Sequence, residues 1–151
     1  MPKTPPRMYR IPRPLALALW LGASGVAAAS APAASTVDAD TYRAEMSAAG
    51  PYKIGAGSVR VSLTAKQQFH INGEYPYRFK ASPPAEGVSY PKPVLERADG
   101  QFAEKTAVFN LPFVASHAGQ FAVGGVLNLS VCSASSCIVH KAPLNVTVTV
   151  Q

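Results

Sequence analysis

The sequence is poor in the residues that most often carry catalysis or hold metal ions. It has eight Asp and Glu, three His and two Cys among 151 residues, and the acids are dispersed along the chain. It contains no G-x-S-x-G motif, and no glycine-rich loop leads into a helical pattern. Hydrolytic or general acid–base chemistry therefore has no support. Two cysteines are also too few for a disulfide framework, so a hydrophobic core must hold the fold.

Only one long apolar run is present, "LALALWLGASGVAAA" at residues 15 to 29, and it follows a start rich in Lys and Arg without an acid. The run is shorter than the roughly 20 residues that span a bilayer, which is the transmembrane alternative. A basic start, a short apolar centre and a small-residue exit predict a secretory signal peptide over residues 1 to 33. The candidate cleavage sites follow Ala29, Ala31 and Ala33. No cysteine lies near them, which excludes a lipoprotein anchor, and export predicts a periplasmic or secreted protein.

The charge of the whole chain misleads about partners. The net charge is +6, but four of the 14 Lys and Arg lie before residue 14. Cleavage would leave ten basic residues against eight acids, a net charge near +2, and the basic residues are scattered singly. The mature chain lacks the basic stripe of a nucleic-acid-binding protein, so we expect no nucleic-acid partner. Because the only long apolar run would be removed, we also expect no membrane span after cleavage.

After Ser58 apolar residues alternate with polar ones, which is typical of half-buried strands. The alternating segments are residues 58 to 65, 69 to 71, 77 to 81 and 107 to 113. With no helical pattern of useful length after residue 50, this predicts an all-β domain over residues 58 to 151, an immunoglobulin-like antiparallel β-sandwich. Residues 34 to 57 are small and polar, and we expect a flexible lead-in or a short helix there.

The last two strands have a defined register. Apolar residues occupy odd positions from Phe121 to Val131 and even positions from Ile138 to Val150. Pairing Val131 with Ile138 places both sets on one face, because directly opposed residues share a face. A slip by one residue would turn every apolar side chain outward. The sequence therefore predicts a long hairpin closed by residues 133 to 136.

This register places Cys132 opposite Cys137, at a Cα separation of about 4.5 to 5.5 Å, which a disulfide tolerates. Both sulfurs should lie on the outer face, away from the core, in line with Ser130, Val139 and Lys141. A bridge that closes so short a loop stabilises the fold by only about 2 kcal/mol. An exposed cross-strand bridge is also more easily reduced than a buried one. A structural bridge remains an alternative to a redox-active pair.

A metal site is the third alternative, with Cys132, Cys137 and His140 as ligands. Cys-x4-Cys-x2-His is not a well-known zinc spacing. His140 lies three residues beyond Cys137 on a strand and should therefore point to the opposite face, opposite Leu129. We interpret His70 and His117 as surface or hydrogen-bonded histidines, and predict neither a metal nor a cofactor.

The stretch "VCSASSCIVHKAPLNVTVTV" resembles the end of the N-terminal periplasmic domain of the thiol:disulfide interchange protein DsbD and of related disulfide bond corrector domains. The matching features are Cys132, Cys137, Pro143 and the β-rich tail. Upstream, "FHINGEYPYRFKASPP" and "GVSYPKP" are similar to a strand and loop of that family. The similarity spans about residues 58 to 151, and only the cysteine hairpin is specific.

The resemblance implies an exported thiol:disulfide exchange domain with Cys132 and Cys137 as its redox pair. Its partners would be thioredoxin-like or membrane thiol:disulfide proteins, and Lys141 would help to stabilise a thiolate. Family members shield the pair with an aromatic-tipped loop, for which residues 88 to 100, with Tyr90, are the candidate. The alternative is a non-enzymatic immunoglobulin-like binding or accessory module with a structural disulfide.

Overall fold

The alternating segments of the sequence form strands of two antiparallel sheets. The computed structural model describes Thr4 and residues 33 to 151. The predicted signal peptide, residues 1 to 33, lies almost wholly outside the described residues. The strands are β1 (Ala34–Asp38), β2 (Tyr42–Ser47), β3 (Gly55–Ala65), β4 (His70–Ile71), β5 (Arg78–Ala81), β6 (Val88–Ser89), β7 (Val94–Glu96), β8 (Gln101–Phe102), β9 (Thr106–Ala115), β10 (Gly119–Cys132) and β11 (Cys137–Val150).

The first sheet has the strand order β1-β2-β3-β9-β6, with β8 also paired to β9. The second sheet has the order β11-β10-β5-β7, with β4 also paired to β10. A single 3-10 turn, Arg97–Asp99, is the only helical element between residues 33 and 151. None of the described residues forms a helix with the length and apolar character needed to cross a membrane. The predicted all-β class is confirmed.

One core lies between the two sheets. Because side chains alternate along a strand, each strand turns every second residue inward. The two sheets contribute large buried side chains that pack in a single cluster: Met46, Val61, Leu63, Phe109 and Leu111 from the first sheet, and Phe79, Leu127, Leu129, Val131, Val146 and Val148 from the second. The sandwich is thus held by apolar burial along its whole length.

Two strands, β1 and β2, lie within residues 34 to 57, and β3 begins at Gly55, so the expected short helix does not form there. β1 pairs with β2 and β2 pairs with β3 in antiparallel ladders. Tyr42, Ala44 and Met46 of β2 are buried in the core. Pairing with neighbouring strands, rather than a strong local preference, gives these residues their strand structure.

Candidate functional site

The β10–β11 hairpin has the predicted register over its whole length. Val131 is paired with Ile138, and the ladder runs from Gly119 opposite Val150 to Cys132 opposite Cys137. The inner face is buried along most of the hairpin. Ile138 is an exception, since 37% of it is exposed where β11 extends past the core margin. Fourteen consecutive residue pairs thus fix the positions of the two cysteines at the closed end.

Ser133 organises the loop that closes the hairpin. Its backbone N–H donates to the Ser136 carbonyl at 2.8 Å. Its hydroxyl accepts hydrogen bonds from the N–H groups of Ser135 and Ser136, each at 3.3 Å. Serine hydroxyls commonly satisfy backbone donors in this way and stabilise tight turns. Hydrogen bonds within the loop itself therefore close the hairpin.

Cys132 and Cys137 form a disulfide across the end of the hairpin, with their Cα atoms 4.0 Å apart. Their environments differ. Only 5% of Cys132 is exposed, whereas Cys137 is exposed to solvent. β10 has neighbours on both sides, β11 and β4, while β11 is the outermost strand of its sheet. A central strand is covered on both edges, so one cysteine is shielded and the other is accessible.

Both cysteines lie outside the core cluster, but only Cys137 is open to solvent. Cys132 is not part of the core cluster, because its side chain lies on the outer face of β10. Its face of β10 is nevertheless covered near the hairpin end, because Ser130, two residues earlier, is fully buried. On β11 the same face is open, since Val139 is 59% exposed and Lys141 is also exposed. The access route to the disulfide therefore leads to Cys137.

A polar cluster holds the covered face beside Cys132. The Ser130 carbonyl accepts hydrogen bonds from the Asn72 N–H at 3.1 Å and from the Tyr77 hydroxyl. The Asn72 side-chain amide donates to the Ser130 hydroxyl at 3.2 Å. Burial raises the pKa of Tyr77, which keeps its hydroxyl protonated as a donor. These bonds fasten the segment 72 to 77 against β10.

The segment 72 to 77 lies against Ser130, at the end of β10 that carries Cys132. Residues 88 to 100 instead form β6, β7 and the 3-10 turn. Tyr90 is near the Gly124 backbone, whose hydrogen bond partly offsets the rise in the pKa of Tyr90 caused by burial. Gly124 precedes Cys132 by eight residues on one strand, a separation of about 26 Å. The prediction of Tyr90 as a cap over the disulfide is wrong.

Lys141 lies on the same face of β11 as Cys137, farther along the strand. It is paired with Asn128, four residues from Cys137, which corresponds to a backbone separation of about 13 Å. Its side chain is exposed. The help from Lys141 in stabilising a thiolate stays a prediction.

His70 is the histidine that lies beside the disulfide. β4 pairs with β10 so that His70 is directly opposite Cys132, and Cys132 is directly opposite Cys137. The three residues form one row across three strands and share the outer face. The sequence alone gave no signal for this, because β4 is two residues long and its partner lies more than 60 residues away.

His140 and His117 lie elsewhere. His140 is paired with Leu129, as predicted, and packs against Tyr42 with ring centroids 4.8 Å apart. His117 packs on Phe121 at the other end of the hairpin. Within residues 33 to 151, no group of three or more His, Cys, Asp or Glu side chains is arranged to hold a metal ion. His140 is separated from the disulfide by the sheet itself.

Sequence comparison with protein-family models and with curated proteins finds no match for this chain.

Proposed function

We propose that this protein is an exported thiol:disulfide exchange domain that passes electrons between thioredoxin-like or membrane thiol proteins through Cys132 and Cys137. In this proposal it is an immunoglobulin-like relative of the DsbD N-terminal domain, delivered to the periplasm or the exterior by the segment 1 to 33. The observation that carries the proposal is the unequal exposure of the two bridged cysteines. Exchange needs one sulfur that a partner can reach and one that leaves and returns.

The reaction begins when a partner thiolate attacks the Cys137 sulfur. A bond forms between the partner and Cys137, the Cys132–Cys137 bond breaks, and its electron pair stays on the Cys132 sulfur. A second thiolate of the partner then attacks the partner's own sulfur in this mixed disulfide and releases Cys137 as a thiolate. Two electrons have passed to the domain, and the partner has become a disulfide. The reverse sequence delivers them to an acceptor.

The surface around Cys137 suits transient contact with another protein. Ile138 and Val139 follow directly, and both are exposed apolar side chains, at 37% and 59%. Apolar side chains of this kind contribute to docking when a partner covers them. The four-residue loop on the other side of Cys137 carries only Ser and Ala, so nothing bulky obstructs an approaching thiol.

The exchange proposal is tested with two matched variants, Cys132→Ser and Cys137→Ser. Each leaves one free thiol, which is mixed with a thioredoxin-like protein whose attacking cysteine is activated with thionitrobenzoate. We expect Cys132→Ser to form the mixed disulfide through Cys137. Cys137→Ser should react at least tenfold more slowly, because a shielded thiol reacts poorly. Equal rates for the two variants would contradict attack at Cys137, and no reaction in either would contradict exchange.

A binding module is the second candidate, and a cavity of about 660 Å³ favours it. Tyr75, Tyr77 and Phe102 line this cavity, and the Arg97 guanidinium lies 4.5 Å above the Phe102 ring centre. Pockets with aromatic walls and a few polar groups commonly bind small ligands. In that case the disulfide is structural, and its redox midpoint would lie below about −300 mV.

A further inference from the structure

We propose that His70 is the acid–base partner of Cys132: it protonates the Cys132 thiolate when that sulfur leaves, and takes the proton back before Cys132 attacks again. The inference rests on the proposed exchange function for its biological meaning. Its chemical content, assistance to one departing sulfur, is open to test without any protein partner.

The register of β4 places the imidazole next to the shielded cysteine. His70 is opposite Cys132 and Ile71 is opposite Val131 in an antiparallel ladder. Ile71 and Val131 are buried in the core, at 5% and 0% exposure, so His70 and Cys132 share the outer face. Directly opposed residues have Cβ atoms about 4.5 to 5.5 Å apart, within reach of an imidazole and a sulfur.

β4 is short, but hydrogen bonds on both sides hold it in place. The N–H of Ile71 donates to the Glu104 carbonyl at 2.8 Å, and the N–H of Asn72 donates to the Ser130 carbonyl at 3.1 Å. The N–H of Phe69 donates to the Lys66 carbonyl at 2.9 Å. The backbone next to His70 is therefore hydrogen-bonded to β10 and to Glu104, which holds the His70 backbone in a defined position.

Between residues 33 and 151, the other two histidine rings have hydrogen-bond partners, and the His70 ring has none among these residues. The His140 ring lies 3.4 Å from the Thr41 hydroxyl, and the His117 ring lies 3.0 Å from the Ala118 carbonyl. Among residues 33 to 151, no side-chain hydrogen bond or ion pair engages the His70 ring. It is half-buried and remains available to a sulfur that becomes charged.

Several charged residues flank β4 in sequence or lie on the segments and strands that neighbour the β4–β10 pair. They are Lys66, Glu74, Glu104, Lys105 and Lys141. Lys66 is paired with Asp38, and the Lys105 ammonium donates to the carbonyls of Gln67 and Phe69. Glu104 contacts β4 through its backbone carbonyl, Glu74 lies on the wall of the cavity, and Lys141 is about 13 Å along β11 from Cys137.

Protons and electrons balance in the proposed step. A thiolate attacks the Cys137 sulfur, the disulfide breaks, and the electron pair remains on Cys132. The His70 imidazolium gives its proton to that thiolate, which yields a Cys132 thiol and a neutral imidazole. On the return step the imidazole accepts the proton as Cys132 attacks the mixed disulfide. An imidazole can both donate and accept a proton, so it serves both directions.

The test measures the rate at which a small thiol, dithiothreitol, reduces the purified oxidised protein as a function of pH. His70→Gln removes the proposed proton donor and acceptor, and His140→Gln is the matched control on the opposite face of the sheet. The thiolate fraction of the reagent is the same for every variant, so it cancels in the ratio of rates. Thermal unfolding and an intact disulfide check that each variant is folded.

We expect His70→Gln to be about threefold to tenfold slower than wild type near pH 6, with the ratio falling toward one near pH 8.5. His140→Gln should match wild type throughout. His70→Lys, which keeps a positive charge, should retain the faster rate and extend it to alkaline pH. A His70→Gln rate equal to wild type at every pH would overturn the inference. A slower rate without reaction toward thioredoxin-like proteins would contradict the exchange function but support the role of His70.

Discussion

Tyr77 connects the core to the strand that carries the shielded cysteine, and its hydroxyl is the group to remove. Tyr77 is 1% exposed, and its hydroxyl donates to the carbonyl of Ser130, which is fully buried. Tyr77→Phe keeps the ring packing and deletes only the donor. The Ser130 carbonyl retains the Asn72 N–H at 3.1 Å, so it is not left without a partner. One net hydrogen bond is worth about 0.5 to 1.5 kcal/mol, and we expect a loss of about 1 kcal/mol.

Urea unfolding followed by tyrosine fluorescence or circular dichroism measures this loss as a shift in midpoint at constant slope. Tyr75→Phe is the control, since Tyr75 is half-buried and packs on the Tyr77 ring edge to face, at a centroid distance of 5.2 Å. We expect it to change the free energy of unfolding by less than about 0.5 kcal/mol. A loss as large for Tyr75→Phe as for Tyr77→Phe would refute the assignment of the energy to the Ser130 bond.

Tyr77→Phe should also change how the free energy of unfolding depends on pH. Burial raises the pKa of Tyr77 above its usual value of 10.0. Above about pH 10 the unfolded chain therefore loses this proton before the folded chain does, and stability falls as pH rises. Tyr77→Phe should lose stability less steeply between neutral and alkaline pH than wild type. Burial also raises the pKa values of Tyr42 and Tyr90, so part of the alkaline slope remains. An unchanged slope would contradict the burial of the Tyr77 hydroxyl.

Two further predictions concern the scaffold. Gly125→Ala should destabilise the fold by about 1 to 3 kcal/mol, because a Cβ there would clash with the Lys80 carbonyl of the neighbouring strand. Gly73→Ala is the control and should be nearly neutral, because Gly73 has open space around it. Equal unfolding midpoints in urea for the two variants would contradict the close approach of β5 to β10. Replacing Cys132 and Cys137 together by Ala should lower the free energy of unfolding by about 2 kcal/mol. A cooperative thermal transition should remain, because the hairpin ladder still holds the two strands together. Loss of the folded state would contradict the view that the disulfide adds little to the hairpin.

The sequence predicted the hairpin well because both of its strands are long and strictly alternating. The runs from Phe121 to Val131 and from Ile138 to Val150 constrain each other, so one register satisfies both. That register alone placed Cys132 opposite Cys137 and His140 on the opposite face, as the structure shows. Local alternation carries this information, and no distant contact is needed to interpret it.

The remaining parts of the site depend on contacts between segments far apart in the chain. β4 contains two residues and has no periodicity to detect, so its pairing with Cys132 was hidden. The segment 72 to 77 shields β10 through hydrogen bonds of Asn72 and Tyr77 to Ser130, and such bonds leave no pattern in a sequence. β1 and β2 are rich in small and polar residues, whose strand character comes from their neighbours in the sheet.

The redox potential of the Cys132–Cys137 bridge tests the central claim most directly. The purified protein is equilibrated in glutathione buffers of graded composition, and the two thiols are trapped with a reagent that shifts the mass. A midpoint between about −120 and −270 mV, the range of exchange proteins, is the predicted result. A midpoint below about −300 mV would mean a structural bridge that no thiol partner reduces, and would contradict the account.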